Sequence, residues 1–272
     1  MKKWELPKKY DFHGQSIRYG NVGEGPALIL VHGTPWSSFN FRHIIKELSQ
    51  KYSVYYYDLL GYGLSEKSKR DVSLSIQNQV LDELINHWKL ENPFIVGHDF
   101  GGATILRNHL LNKREYKKIV LIDPVAISPW GSPFFLHVRD HEAAFAGVPD
   151  YIHEAIVHAY ISTAAFKKIE PEIMKAILAP WLTVEGKPAF YRQIAQADSK
   201  FTEEVQVLYE NISIPVLIIW GEEDTWIPIE RGRKLQKLIP QSQFHAISQA
   251  GHLIIEEKPK ELAKEILNYL KQ

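Results

Sequence analysis

Five short apolar runs set the frame of this chain. Residues 27–31 lead into His32-Gly33, 94–96 into Gly97-His98, and 216–220 into Gly221-Glu222-Glu223-Asp224. Residues 52–57 end at Asp58 and 118–122 at Asp123 in the same manner. Runs this short that stop at glycine or an ionisable residue mark buried parallel strands, whose carboxyl ends form the ligand side of an α/β sheet. Between them the spacing predicts helices over 39–50, 74–90 and 103–112. After residue 215 the period resumes, with a helix over 230–238, a strand over 243–247 and a helix over 259–270. Such alternation describes a mostly parallel sheet with helices on both faces.

The middle of the chain breaks this period. Pro124, Pro129, Pro133, Pro149, Pro171, Pro180 and Pro188 punctuate it, and no buried-strand run appears there. It reads as a helical insertion between two strands of one sheet. The expected division is a core of residues 1–124 and 213–272 with a helical cap over 125–212.

Several functions fall away on composition. Lys plus Arg and Asp plus Glu both number 32, a formal net charge of +0, without the basic excess that nucleic acid or an anionic membrane surface attracts. Cysteine is absent, which removes thiolate metal sites and a cysteine nucleophile. No apolar run approaches the roughly 20 residues of a membrane span, and the start, Met1-Lys2-Lys3-Trp4, develops no signal-peptide apolar stretch. The expectation is a soluble, cytoplasmic protein without nucleic-acid or membrane partners and with no cofactor or metal. The pairs His137/His141 and His153/His158 lack an accompanying carboxylate motif and read as surface or packing residues.

Chemistry concentrates at Gly97-His98-Asp99-Phe100-Gly101. Placed between a strand and a helix, it is the G-x-S-x-G nucleophile elbow with aspartate where serine usually stands. A Cβ at 97 or 101 would collide with neighbouring backbone in so sharp a turn. Downstream, Asp224 follows a strand and His252 precedes the last helix. Nucleophile, acid and histidine in that order, with His32-Gly33-Thr34-Pro35 and Asp58-Leu59-Leu60-Gly61-Tyr62-Gly63-Leu64-Ser65, resemble the α/β-hydrolase family along essentially the whole chain. The resemblance implies the α/β-hydrolase fold, a catalytic set of Asp99, Asp224 and His252, and oxyanion donors on the backbone of Thr34 and Phe100. Asp123, also at a strand end, is the second position for the acid.

Aspartate changes the chemistry. A serine hydroxyl needs a base to become nucleophilic, whereas a carboxylate with a reference pKa of about 3.9 is already ionised. It attacks stable esters poorly, because the anhydride reverts, but it displaces a leaving group from saturated carbon. The resulting alkyl ester is then cleaved by water that His252 deprotonates, with Asp224 holding the imidazole tautomer. The expected substrate is a small, neutral, apolar epoxide or alkyl halide.

The sequence is therefore similar to epoxide hydrolases first and haloalkane dehalogenases second. Against the latter stand Phe100 and Thr34, where a halide would find no side-chain N–H donor, although Trp36 or Trp181 offers one. Phe100 also departs from the tryptophan common in epoxide hydrolases. Arg107 lies about two turns into its helix, too far along to grip a substrate carboxylate. An epoxide needs a proton donor for its alkoxide, a role suited to tyrosine. Phe190-Tyr191-Arg192-Gln193 resembles the W-Y-R-N segment of epoxide hydrolases, which makes Tyr191 one candidate; Tyr151 is the other, with Tyr160 next. Trp130, Phe134, Phe135, Phe145 and Trp181 are expected to wall an apolar pocket or hold the cap together. Further alternatives are an esterase-like hydrolase and a ligand binder that keeps the fold without turnover.

Overall fold

The computed structural model describes residues 4–271. Eight strands form one sheet: β1 (Lys8–Phe12), β2 (Gln15–Val22), β3 (Ala27–Val31), β4 (Ser53–Tyr57), β5 (Phe94–His98), β6 (Lys118–Ile122), β7 (Val216–Gly221) and β8 (Ser242–Ile247). Their order is β1-β2-β4-β3-β5-β6-β7-β8. The two pairings made by β2 are antiparallel and all others are parallel. The central strands β3, β5, β6 and β7 are buried almost end to end, as strands covered on both faces must be.

Helices α1 (Arg42–Leu48), α2 (Leu74–His87) and α3 (Phe100–Leu111) connect the first parallel strands. Six more lie between β6 and β7: α4 (Pro133–Asp140), α5 (Glu142–Ala146), α6 (Asp150–Ser162), α7 (Pro171–Leu178), α8 (Gly186–Ala195) and α9 (Lys200–Gln206). The chain closes with α10 (Ile229–Leu238), α11 (Ile254–Glu257) and α12 (Pro259–Lys271). The fold is that of an α/β hydrolase with an inserted set of helices. No helix among the described residues is long and apolar enough to cross a membrane.

The apolar runs become strands nearly residue for residue. Strands β1 and β2 are absent from the sequence-based prediction for a physical reason. They form the antiparallel end of the sheet; β1 is exposed along most of its length and β2 starts by alternating buried with half-buried positions, so neither contains an apolar run. Helix α3 starts three residues before its predicted position, because Gly101 and Gly102 lie inside it. Glycine weakens a helix, but here it serves close packing: a Cβ on Gly102 would sit 2.6 Å from the Pro124 side chain.

The inserted helices are tied down by polar contacts. Arg107, buried in α3, donates to the Phe201 carbonyl at 2.6 Å and pairs with Glu204. From α8, Arg192 reaches the Ser68 carbonyl at 2.8 Å, and the Gln196 side chain accepts the Val72 N–H at 2.7 Å.

Candidate active site

The carboxyl ends of β3, β5 and β7 and the loop after β8 bring four distant segments together. Asp99 links β5 to α3 with φ 55° and ψ −119°, a conformation non-glycine residues adopt only where packing imposes it. The flanking glycines show how. A Cβ on Gly97 would lie 2.7 Å from the Gly101 backbone, and one on Gly101 would run into the Val31 carbonyl. Strand and helix meet so closely that the side chain between them is thrust outward. A Cβ on Gly33 would strike the Asp99 carboxylate itself.

Asp99 meets two groups. The Thr34 N–H donates to Oδ1 at 2.6 Å. On the other side, His252 Nε2 lies 3.3 Å from Oδ2, at ion-pair distance but without hydrogen-bond alignment. Phe100 opens α3, and its ring packs edge-on against Trp130.

His252 is fully buried, and its Nδ1–H donates to Asp224 Oδ2 at 2.8 Å. Asp224 is fixed in turn, since its Oδ1 accepts the backbone N–H groups of Trp226 and Ile227, both at 2.8 Å. Burial disfavours the imidazolium, but the Asp224 carboxylate, with Asp99 behind it, outweighs burial and holds His252 well above the usual histidine range. Asp123 makes no hydrogen bond to His252. Its Oδ1 accepts the Gly221 N–H at 2.9 Å, its Oδ2 is buried without a partner, and burial together with the Asp224 charge pushes its pKa up. The structure thus sets Asp224, and not Asp123, beside the imidazole.

His98 lies behind the elbow, where its Nε2–H donates to the His252 carbonyl at 2.8 Å. Burial first, and then the neighbouring His252, push its pKa down to about 3. It stays neutral and braces the loop that carries His252.

A cavity of about 470 Å³ opens over Asp99, walled by Phe100, Trp130, Phe135, Tyr160 and Trp226 and reached by Thr34. A larger groove of about 920 Å³ runs past Trp4, Phe39, Leu64 and Lys67, and it contains none of Asp99, Asp224 and His252. Of these two, the smaller cavity is the one that Asp99 lines, and this marks it as the candidate site.

Several expected residues stand elsewhere. Tyr151 is 72% exposed on α6 and does not reach the cavity. Tyr191 is buried among the inserted helices, where its hydroxyl meets His153 Nδ1 at 2.8 Å and burial pushes its pKa up to about 12. Successive residues on α8 point about 100° apart, and it is Gln193, two positions on, that turns toward the site. Its Oε1 accepts the hydroxyls of Thr34 and, at 3.0 Å, Tyr62, while its Nε2 is buried without a partner. Tyr160 is the tyrosine on the cavity wall.

Trp181 is buried and spends its indole N–H on the Pro35 carbonyl at 2.8 Å, so it cannot grip a leaving group. Trp36 is buried beside the site, stacked on Trp226, and its indole N–H has no partner among the described residues. Of the expected aromatic wall, Trp130 and Phe135 line the cavity, whereas Phe145 packs on Phe134 and Tyr191. Sequence reasoning missed Trp226 and Gln193. For Trp226 the signal was its place two residues after Asp224; for Gln193 it was the position after Arg192 in the segment that had suggested Tyr191. Among the described residues no group of three or more side chains could hold a metal ion.

The fold and this arrangement define an α/β hydrolase. The chain belongs to the alpha/beta hydrolase family, whose model matches residues 28–265. An alpha/beta hydrolase fold protein from Burkholderia ambifaria is 43% identical and superposes with a TM-score of 0.95 over 97% of this chain and 98% of that one. The uncharacterized hydrolase YugF of Bacillus subtilis (strain 168) is 29% identical over 267 residues, covering 93% of this chain and 92% of its own. The soluble epoxide hydrolase of Corynebacterium sp. (strain C12) is 24% identical over 263 residues, 91% of each chain.

Proposed function

We propose that this protein hydrolyses epoxides through a covalent ester on Asp99. One observation carries the ester half of the reading: a carboxylate stands at the elbow, with the Thr34 amide on one oxygen and His252 Nε2 3.3 Å from the other. Asp99 Oδ2 attacks an oxirane carbon as the C–O bond breaks, leaving an alkyl ester and an alkoxide that takes the Tyr160 phenol proton to become the alcohol. Water that loses its proton to His252 then adds to the Asp99 carboxyl carbon. The oxyanion forms at the Thr34 N–H, with the Phe100 N–H as second donor. Collapse expels the diol and restores the carboxylate.

The electrostatics suit this order. While Asp99 carries its charge it helps keep the imidazole protonated. Esterification removes that charge, so the His252 pKa falls at the step where a base is required.

Tyr160 favours an epoxide. It lines the cavity, its hydroxyl has no hydrogen-bond partner among the described side chains, and burial, with the Asp99 charge behind it, raises its pKa, so the phenol keeps its proton to give to the alkoxide. The indole N–H groups on the wall are engaged, Trp130 with Thr202 at 2.9 Å and Trp226 with Thr163 at 2.8 Å, and neither is free for a halide. The likeness to the Corynebacterium epoxide hydrolase points the same way. Haloalkane dehalogenation is the second reading, favoured by the unpartnered Trp36 indole N–H.

Tyr160→Phe is expected to slow diol formation from styrene oxide by about 10²-fold or more, the range of general acid catalysis. Tyr191→Phe, in contrast, leaves the rate nearly unchanged. Rapid bromide release from 1-bromobutane with no diol from styrene oxide would reverse the order of the two readings.

A further inference from the structure

Trp226 touches each group of the site that handles a proton. Its indole stacks on the His252 imidazole at 5.1 Å and 25° between planes, and on the Tyr160 phenol at 4.5 Å and 20°. Its backbone N–H is held by Asp224 Oδ1 and its ring N–H by the Thr163 hydroxyl at the end of α6, both at 2.8 Å. Anchored at both ends, the ring has little freedom to leave the imidazole.

The face of an indole is electrostatically negative, and a cation set against it is stabilised, most of all when water is excluded. His252 is fully buried. We propose that Trp226 is a positioning residue that stabilises the His252 imidazolium through its ring face and so helps set the pH at which the base works. The inference rests on the reading of His252 as the base.

The surroundings of the imidazole are few enough to apportion. Asp224 faces Nδ1 and Asp99 faces Nε2. The His98 ring lies 5.0 Å away and is neutral. The Trp36 ring is 6.5 Å away, and Tyr160, stacked on Trp226, is a neutral phenol. Asp123 lies beyond Asp224 and makes no hydrogen bond to the ring, and burial together with the Asp224 charge pushes its pKa up. Two carboxylates and the indoles are therefore what hold the charge. When Asp99 becomes an ester, Asp224 is the carboxylate still in contact with the ring, and the share carried by Trp226 grows at the step in which the imidazolium forms.

The test is a titration of the His252 ring by ¹⁵N NMR in the full-length protein, for the parent and for Trp226→Leu, Trp226→Phe and Thr163→Val. Trp226→Leu lowers the midpoint by roughly half to one and a half pH units, the span of a desolvated cation–π contact. Trp226→Phe, which restores an aromatic face, recovers most of the fall. Thr163→Val, which removes the ring's hydrogen bond but not the ring, leaves the midpoint in place. If Trp226→Leu does not fold, Trp226→Met is read in the same way. An unchanged midpoint in the folded Leu or Met variant, or an equal fall with Phe, overturns the inference. The titration needs no substrate, so its outcome is separate from that of the ester mechanism, which a His252→Ala trap with styrene oxide decides.

Discussion

His252→Ala is expected to stop the reaction halfway. Incubated with excess styrene oxide, the variant should gain the mass of one substrate on the peptide that contains Asp99 and release almost no diol. The reasoning follows from where the histidine sits. In the proposed route attack by Asp99 needs no base, so the first step survives; hydrolysis of the ester needs a proton removed from water, and Nε2 of His252, 3.3 Å from Asp99, is the group placed to take it. Steady-state turnover should fall by about 10⁴-fold or more, as when the base of a catalytic set is removed. An esterase-like route through water alone leaves no adduct, and neither does a binder.

Asp224→Asn should have an effect of similar size by another route. The oxygen of the new carboxamide can still accept the Trp226 and Ile227 amides, so the loop is kept. Its NH2 group, however, meets His252 Nδ1 where the carboxylate accepted a proton. The imidazole must then carry its hydrogen on Nε2, facing Asp99, and cannot take one from water. A wrong tautomer of this kind costs about 10⁴ in turnover in serine proteases. The pH profile adds a sign. Asp224 is the foremost influence raising the His252 pKa, so its loss moves the midpoint of residual activity downward, and stopped-flow rates over pH measure it. The ester should still form in one fast burst, since its formation does not use the histidine.

The parallel strands and the elbow were legible in the sequence because burial on both faces demands unbroken apolar runs, and the tight turn demands glycine at 97 and 101. Strands β1 and β2 were not, since Lys8–Phe12 is largely exposed, Gln15–Val22 alternates, and neither carries such a run. The set Asp99, Asp224 and His252 could be placed because each follows a strand end in a fixed order. The wall of the cavity could not. On helices α6 and α8 a side chain's direction depends on how each helix is rolled against its neighbours, and local spacing does not record that. Hence Tyr191 turns to His153, Tyr151 to solvent, and Tyr160 to the cavity. The link from Gln193 to Thr34 spans 159 positions along the chain, and the segment around Arg192, which pointed to this stretch of α8, does not record which of its side chains turns to Thr34.

The most direct test of the aspartyl-ester mechanism is one turnover in ¹⁸O water, with enzyme in excess over styrene oxide and the label located by mass spectrometry. In the proposed mechanism water attacks the Asp99 carboxyl carbon, so the label should appear in the Asp99 carboxylate, and the diol should carry the unlabelled oxygen donated by Asp99. Label in the diol, with none in Asp99, would contradict the mechanism.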